Sequence, residues 1–257
     1  MLRAMTPDDI KAAELAQHLK AALGDLADRI ATRINPRARR ISLRLDPAEA
    51  CIVLVRPRGV SAKAATRFAV EKRYWIEDRL ADLPPRIVFK DGVSLPYLGV
   101  DHIIRHAPEA RRGVWREDGV IFVSGAPEHL SRRVTDWLKT EAKSLIGPRA
   151  RGMAEALGCK VARVTVRDTR SRWGSCSADG KLSFSWRLIL APEAILTYVA
   201  AHEVAHLKYL DHSKAFWRTV GEALAAYGGK NGMAEPITPR SAREWLHRSG
   251  AALHAYG

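Results

Sequence analysis

The stretch from Pro192 to His206, Pro-Glu-Ala-Ile-Leu-Thr-Tyr-Val-Ala-Ala-His-Glu-Val-Ala-His, constrains this chain more than any other. Pro192-Glu193 is a helix start, with proline in the first turn and an acid against the positive end of the dipole. The apolar residues Ile195, Leu196, Val199 and Val204 then predict a helix to about Leu207 that belongs in a core. That helix carries His202, Glu203 and His206 into apolar surroundings, where unpartnered charge is costly. Residues four apart differ by about 40° around a helix axis, so both imidazoles leave one face and can reach one metal ion, with Glu203 about 100° from His202 beside them. The pattern reads as a zinc site with a built-in base. Neutral imidazoles suit zinc, a catalytic zinc takes three protein ligands and leaves a position for water, and an adjacent glutamate can take that water's proton. The competing reading, a histidine pair on an ordinary surface helix, sits badly with the apolar segment before it.

The third ligand stays open between two residues. His212 follows His206 by six positions and would point away if the helix continued. A helix end near Leu210 swings it back, with Asp211 or Ser213 capping the helix that follows. The rival is Glu222, on that next helix.

Around this segment the chain reads as mixed α and β. Thr6-Pro7-Asp8-Asp9 starts an Ala-rich helix to about Leu23, with Ile10, Leu15, Leu19, Ala22, Leu23 and Leu26 as its apolar positions. Ile41–Leu45 and Cys51–Val55 read as strands in an arginine-rich region from Arg29 to Arg58. One helix is expected from Ser61 to Leu80, stopped by Pro84-Pro85. Short segments from Ile87 to Val123, with turns at Asp91-Gly92 and Asp118-Gly119, predict a β-meander. A long helix from about Glu128 to Leu157 should break or kink at Gly147-Pro148. Strands at Val161–Arg167 and Leu182–Trp186 precede the metal helix. A helix from Ser213 to Tyr227 should end at Gly228-Gly229, and Ser241-Ala-Arg-Glu244 reads as the capping box of a last short helix.

Composition narrows the class. With 257 residues, 47% hydrophobic and 27% charged, the chain is neither disordered nor a disulfide-stapled miniprotein. Its net charge of +14 attracts phosphate, nucleic acid or acidic substrates without naming one. The three cysteines, Cys51, Cys159 and Cys176, form no CxxC pair, which points to a reducing cytoplasm. Acids where a signal peptide needs an apolar run, and no long apolar stretch, give the expectation of a cytoplasmic protein with no membrane partner.

Four segments together, Arg172-Trp-Gly-Ser-Cys-Ser177, Leu182-Ser-Phe-Ser-Trp-Arg-Leu-Ile-Leu-Ala-Pro192, Tyr198-Val-Ala-Ala-His-Glu-Val-Ala-His206 and His212-Ser-Lys-Ala-Phe-Trp217, resemble the YgjP-like metal-dependent hydrolases. Those proteins are zincins related to a broader group of zinc metallopeptidases and are similar at their motif to WLM and SprT-like proteases. The resemblance runs from about Arg37 to Tyr227 and includes Ala38-Arg-Arg-Ile-Ser-Leu-Arg44. It implies an α+β, minigluzincin-like zincin core with an N-terminal β-rich region, zinc on His202, His206 and His212, and Glu203 as general base. Metzincins share the ligand spacing but place glycine where Tyr209 stands, which argues against that branch. The expected organisation is a helical extension over 1–34, a metallohydrolase domain over 35–228 with its catalytic core at about 150–228, and a tail with a short helix over 229–257.

Arg170, Arg172 and Ser175 are candidate substrate-binding residues, since guanidinium groups hold carboxylate or phosphate; the alternative is a turn tied by arginine hydrogen bonds. Trp173, Trp186, Phe216 and Trp217 read as core or pocket wall, and Cys176 as a small buried apolar residue that could stand near the metal. The expected activity is a zinc-dependent hydrolase acting on peptide or protein. The alternatives are a metal-dependent nucleotide phosphohydrolase and a nucleic-acid-associated zinc protein or protease, the latter with no nucleic-acid motif behind it.

Overall fold

Leucines at positions 15, 19 and 23 recur at helical spacing, and all three are buried in a small core of their own. The computed structural model describes residues 7–46, 49–81, 85–169, 172–231 and 237–257. The expected cap Thr6 lies outside them. The chain divides into two compact units, Met1–Arg86 and Ile87–Gly257. The first unit contains the expected helical extension together with the first strands.

In the first unit, α1 (Pro7–Leu23) packs on α2 (Ala62–Glu71) beside a three-stranded sheet. Its strands are β1 (Ile30–Ile34), β2 (Ser42–Asp46) and β3 (Cys51–Arg56), with β3 central, parallel to β1 and antiparallel to β2. β1 was not expected. Its five residues, Ile-Ala-Thr-Arg-Ile, lie directly after a 3₁₀ turn and alternate only weakly. The single helix expected from Ser61 to Leu80 is two, α2 and α3 (Arg73–Ala81), separated at Lys72. Ser61 caps α2 by accepting from the Ala64 amide.

The second unit begins with a four-stranded sheet of β4 (Ser94–Tyr97), β5 (Val100–His106), β6 (Val114–Glu117) and β7 (Val120–Val123). The expected meander is corrected here. The order is β4-β5-β7-β6, with β5 and β7 parallel at the centre, because the β5–β6 connection carries the chain past the sheet before it turns back at Asp118-Gly119. Ile87 forms only an isolated bridge with Tyr256. The turn between β4 and β5 holds Leu98 and Gly99 at positive φ, and a β-carbon at Gly99 would lie 2.9 Å from the Pro192 Cα. Glycine is required there, and it lets the turn seat against the start of the metal-motif helix.

α4 (Leu130–Ala156) runs unbroken through Pro148. Proline in a helix interior costs about 3 kcal/mol; here Ile146, Ala150 and Met153 are at most 1% exposed, and their packing holds the helix together. Arg149, itself buried, bonds Thr197 Oγ1 at 3.0 Å, pairs with Glu193 and stacks over Tyr227. It thereby ties α4 to α5 (Glu193–Ala205) and α6 (Lys214–Asn231). A second sheet has β8 (Arg163–Arg167) and β9 (Gly174–Cys176) flanking β10 (Lys181–Ser185), parallel and antiparallel respectively. Trp186 is not in the expected strand but opens a 3₁₀ turn to Leu190, every residue of it buried. α6 continues past Gly228. The last helix, α7 (Pro239–Leu253), is 15 residues long and capped by Thr238, whose side chain accepts from the Ser241 amide, so Ser241 is inside the helix rather than its cap. The fold is α+β.

Candidate metal centre

α5 is buried almost throughout, and its end builds the site. His206 occupies the C-cap with φ −65° and ψ −14°. The amides of Leu207, Lys208 and Tyr209 fold back onto the carbonyls of Val204 and Ala205. Beyond them Tyr209 and Leu210 are exposed, and no buried face prolongs the helix. The helix therefore stops before the Leu207 to Leu210 end expected from the sequence, and the chain that follows brings His212 back over α5.

The imidazole centroids lie 4.9 Å (His202–His206), 5.1 Å (His202–His212) and 5.0 Å (His206–His212) apart. One nitrogen from each falls within 4.8 Å of the others, and among the described residues this is the one such cluster of metal-binding side chains. The Nε2 atoms of His202 and His212 are 3.3 Å apart. Donor atoms about 2.1 Å from a tetrahedral zinc sit about 3.4 Å from one another, so the separation suits a shared ion better than a direct hydrogen bond. His206 Nδ1 lies 2.9 Å from the Tyr209 carbonyl. That acceptor fixes the proton on Nδ1 and leaves Nε2 for a metal. Burial first, then the charges of His206, His212 and Arg243, push His202 down to about 4, so it is held neutral, the form that binds metal. Phe216, fully buried, touches all three rings at centroid distances of 4.6 to 4.9 Å. Trp217 stacks on His212 at 5.7 Å.

Glu203 is 6% exposed. Burial pushes its carboxyl up to about 7, against the pull of the Arg172 charge. Gly174 in β9 lies directly against it. His202, Glu203, His212, Trp217, Tyr198 and Gly174 line one cleft of about 1030 Å³.

Of the other expected site residues, Arg170 lies outside the described residues. Arg172 is exposed within electrostatic reach of Glu203. Thr169 Oγ1 donates to the Arg172 carbonyl at 2.8 Å. Ser175 is half-buried and alternates with Gly174, so it faces away from Glu203. Glu222 is exposed on α6 and outside the histidine cluster. Trp186 and Phe216 are core, and Trp173 and Trp217 form cleft wall. Cys176 is half-buried, and burial, then the Glu203 and Asp179 charges, raise its thiol to about 11. Sequence reasoning gave no role to Tyr198 or to α7, which supplies Arg240, Arg243, Glu244, Leu246 and His247 to the cleft. The signal for α7 was Arg243 and His247 at helical spacing in a segment read as a tail with a short helix.

The family description of the YgjP-like metallopeptidase domain matches residues 39–229. The chain belongs to the YgjP-like family. The YgjP-like match takes in β2 through most of α6 and leaves α7 outside. A metallopeptidase domain of this kind implies a divalent metal. Among solved structures, the metallopeptidase zymogen of Pyrococcus abyssi abylysin is similar at 21% identity over 34% of this chain and 96% of its own, with a TM-score of 0.28. No protein of curated function matches. Among the described residues no helix is long and apolar enough to cross a membrane.

Proposed function

We propose that this YgjP-like chain is a zinc metallopeptidase in which His202, His206 and His212 hold the metal and Glu203 is the general base. The observation that carries the reading is the convergence of three imidazole nitrogens beside a single buried carboxylate, with His202, His212 and Glu203 lining one cleft. When bound, zinc supplies a Lewis acid and lowers the pKa of coordinated water to about 7. Glu203, next in sequence to His202 and buried beside the cluster, would take a proton from the attacking water and return it to the leaving amine. Its burial keeps bulk water from competing for that proton.

A peptide substrate is favoured by β9. This strand is at the edge of its sheet, with β10 on one side only, and its Gly174 borders the cleft. An extended peptide laid along such an edge gains main-chain hydrogen bonds in register with the catalytic groups. The finer fold assignment, a minigluzincin-like core, belongs to this proposal, as do the cytoplasmic location and the division into extension, metallohydrolase domain and tail.

The test is an assay of zinc-loaded protein against casein, short peptides and nucleoside triphosphates, with Glu203→Gln as control. Peptide cleavage that the control lacks is expected. Turnover confined to triphosphates would overturn the peptidase reading.

A further inference from the structure

α7 is a fixed wall of the cleft. Its Gly250 abuts Trp173, where a β-carbon would lie 3.2 Å from the indole, and His254 packs on Trp173 at 4.7 Å. The residues after it are stapled: the Ile87 amide donates to Ala255 at 2.7 Å, the Gly257 amide to Ile87 at 3.1 Å, and buried Arg187 to the Tyr256 carbonyl at 3.3 Å. Arg240, Arg243, Glu244 and His247 share one face of this helix and all line the cleft.

The charges on that face do not cancel. Arg240 donates to Glu244 at 2.9 Å, so those two offset each other. The other lining carboxylate is Glu203, which is buried. Arg243 makes no ion pair among the described residues. Its guanidinium lies over the Trp217 ring at 5.2 Å, and Trp217 in turn stacks on His212 at 5.7 Å. One indole therefore contacts both an uncompensated cation and a ring of the metal cluster, and the Arg243 charge is felt at both His202 and Tyr198. A guanidinium placed over an indole and in no ion pair retains N–H donors for a planar carboxylate.

We infer that α7 is a specificity wall whose Arg243 binds an acidic side chain of the peptide substrate. The inference rests on the peptidase reading above, and its test reads binding rather than turnover.

Zinc-loaded Glu203→Gln protein is titrated with fluorescein-labelled decapeptides identical except for a central Asp-Asp, Ser-Ser or Lys-Lys pair, with tripolyphosphate as a further ligand. The Asp peptide should bind about tenfold more tightly than the Ser peptide, as expected of a charge-assisted pair. Adding Arg243→Glu should abolish that preference and favour the Lys peptide, whereas Arg248→Glu, on α7 but not lining the cleft, should leave it unchanged. Equal weakening of the Asp and Ser peptides by Arg243→Glu would assign Arg243 to packing against Trp217 and overturn the inference. So would tight binding of tripolyphosphate without a preference for the Asp peptide. Failure to cleave peptides in the activity assay would remove the peptidase reading without altering this readout.

Discussion

Gly174 and Glu203 are in contact so close that a β-carbon on Gly174 would lie 2.5 Å from both Cγ and Oε1 of the glutamate. Real β-carbons do not approach that near, so the absence of a side chain in β9 fixes where the carboxylate sits. Gly174→Ala must move the edge strand or the base. The three histidines lie elsewhere on α5 and the loop after it, so metal content should stay at one ion per chain. A displacement of about 1 Å in a catalytic group can cost on the order of 10²-fold, and kcat for a cleaved peptide should fall by that much. Metal analysis beside steady-state kinetics checks it; unaltered kcat would show that the carboxylate position is not critical.

The histidine cluster makes a ranked set of expectations for metal retention. His206→Ala leaves two ligands and should release the ion during dialysis. His212→Ala should weaken binding by more than the ~10–100-fold typical of a residue that only supports a ligand, and Glu222→Ala by less. A competitive chelator titration orders the three. Loss of the metal in Glu222→Ala alone would move the third ligand onto α6.

Burial of Glu203 has a thermodynamic consequence in the metal-free protein. Its carboxyl is raised from 4.5 to about 7 in the folded state. Below pH 4.5 both states are protonated and the group is neutral to stability. As pH rises through this window the folded protein binds more protons than the unfolded chain, so stability falls, and above pH 7 the loss is complete. At about 1.36 kcal/mol per pKa unit the whole effect is about 3 kcal/mol. Glu203→Gln should therefore raise the melting temperature of apo protein at pH 8 and leave it nearly unchanged at pH 4, while abolishing turnover of the loaded enzyme. Thermal unfolding at both pH values tests this, and an equal shift at each would remove burial of the charge as the cause.

What could be read from the sequence was what local chemistry decides. α5 announces itself through Pro192-Glu193 and its apolar run, and the imidazole spacing on it follows from helix geometry alone. His212 needed one further step, a helix end, and that end lies at Ala205 because the exposed Tyr209 and Leu210 offer no burial to extend it. The parallel pairing of β5 with β7 was not legible, since register between non-adjacent strands is settled by burial of Ile104 and Ile121 and not by any turn. Pro148 misleads for the same reason: packing outweighs a local penalty. β9, only Gly-Ser-Cys, has no strand propensity to detect, and its place beside Glu203 comes from pairing with Leu182 to Phe184. α7 looked short because Ser241 and Glu244 imitate a capping box one turn inside the true start at Thr238.

Phe216 joins stability to the site. It is fully buried and meets the rings of His202, His206 and His212 at 4.9, 4.6 and 4.7 Å, two of them nearly edge-on. Among the described residues no other aromatic ring outside the cluster packs on all three, so one aromatic side chain supports every imidazole. Phe216→Ala should destabilise the protein by about 3–5 kcal/mol through lost burial and the cavity left behind. It should also weaken zinc binding, because ligands free to rotate must be ordered when the ion enters. Phe216→Leu keeps most of the volume and should cost less stability, yet it removes the flat surface, so its metal affinity should still fall. Denaturant unfolding of the apo proteins, set beside chelator competition on the loaded ones, separates the two effects. If Phe216→Leu binds zinc as tightly as the wild type, the ring serves only to fill the core, and the orientation of the histidines must come from the Tyr209 carbonyl and the backbone of α5 alone.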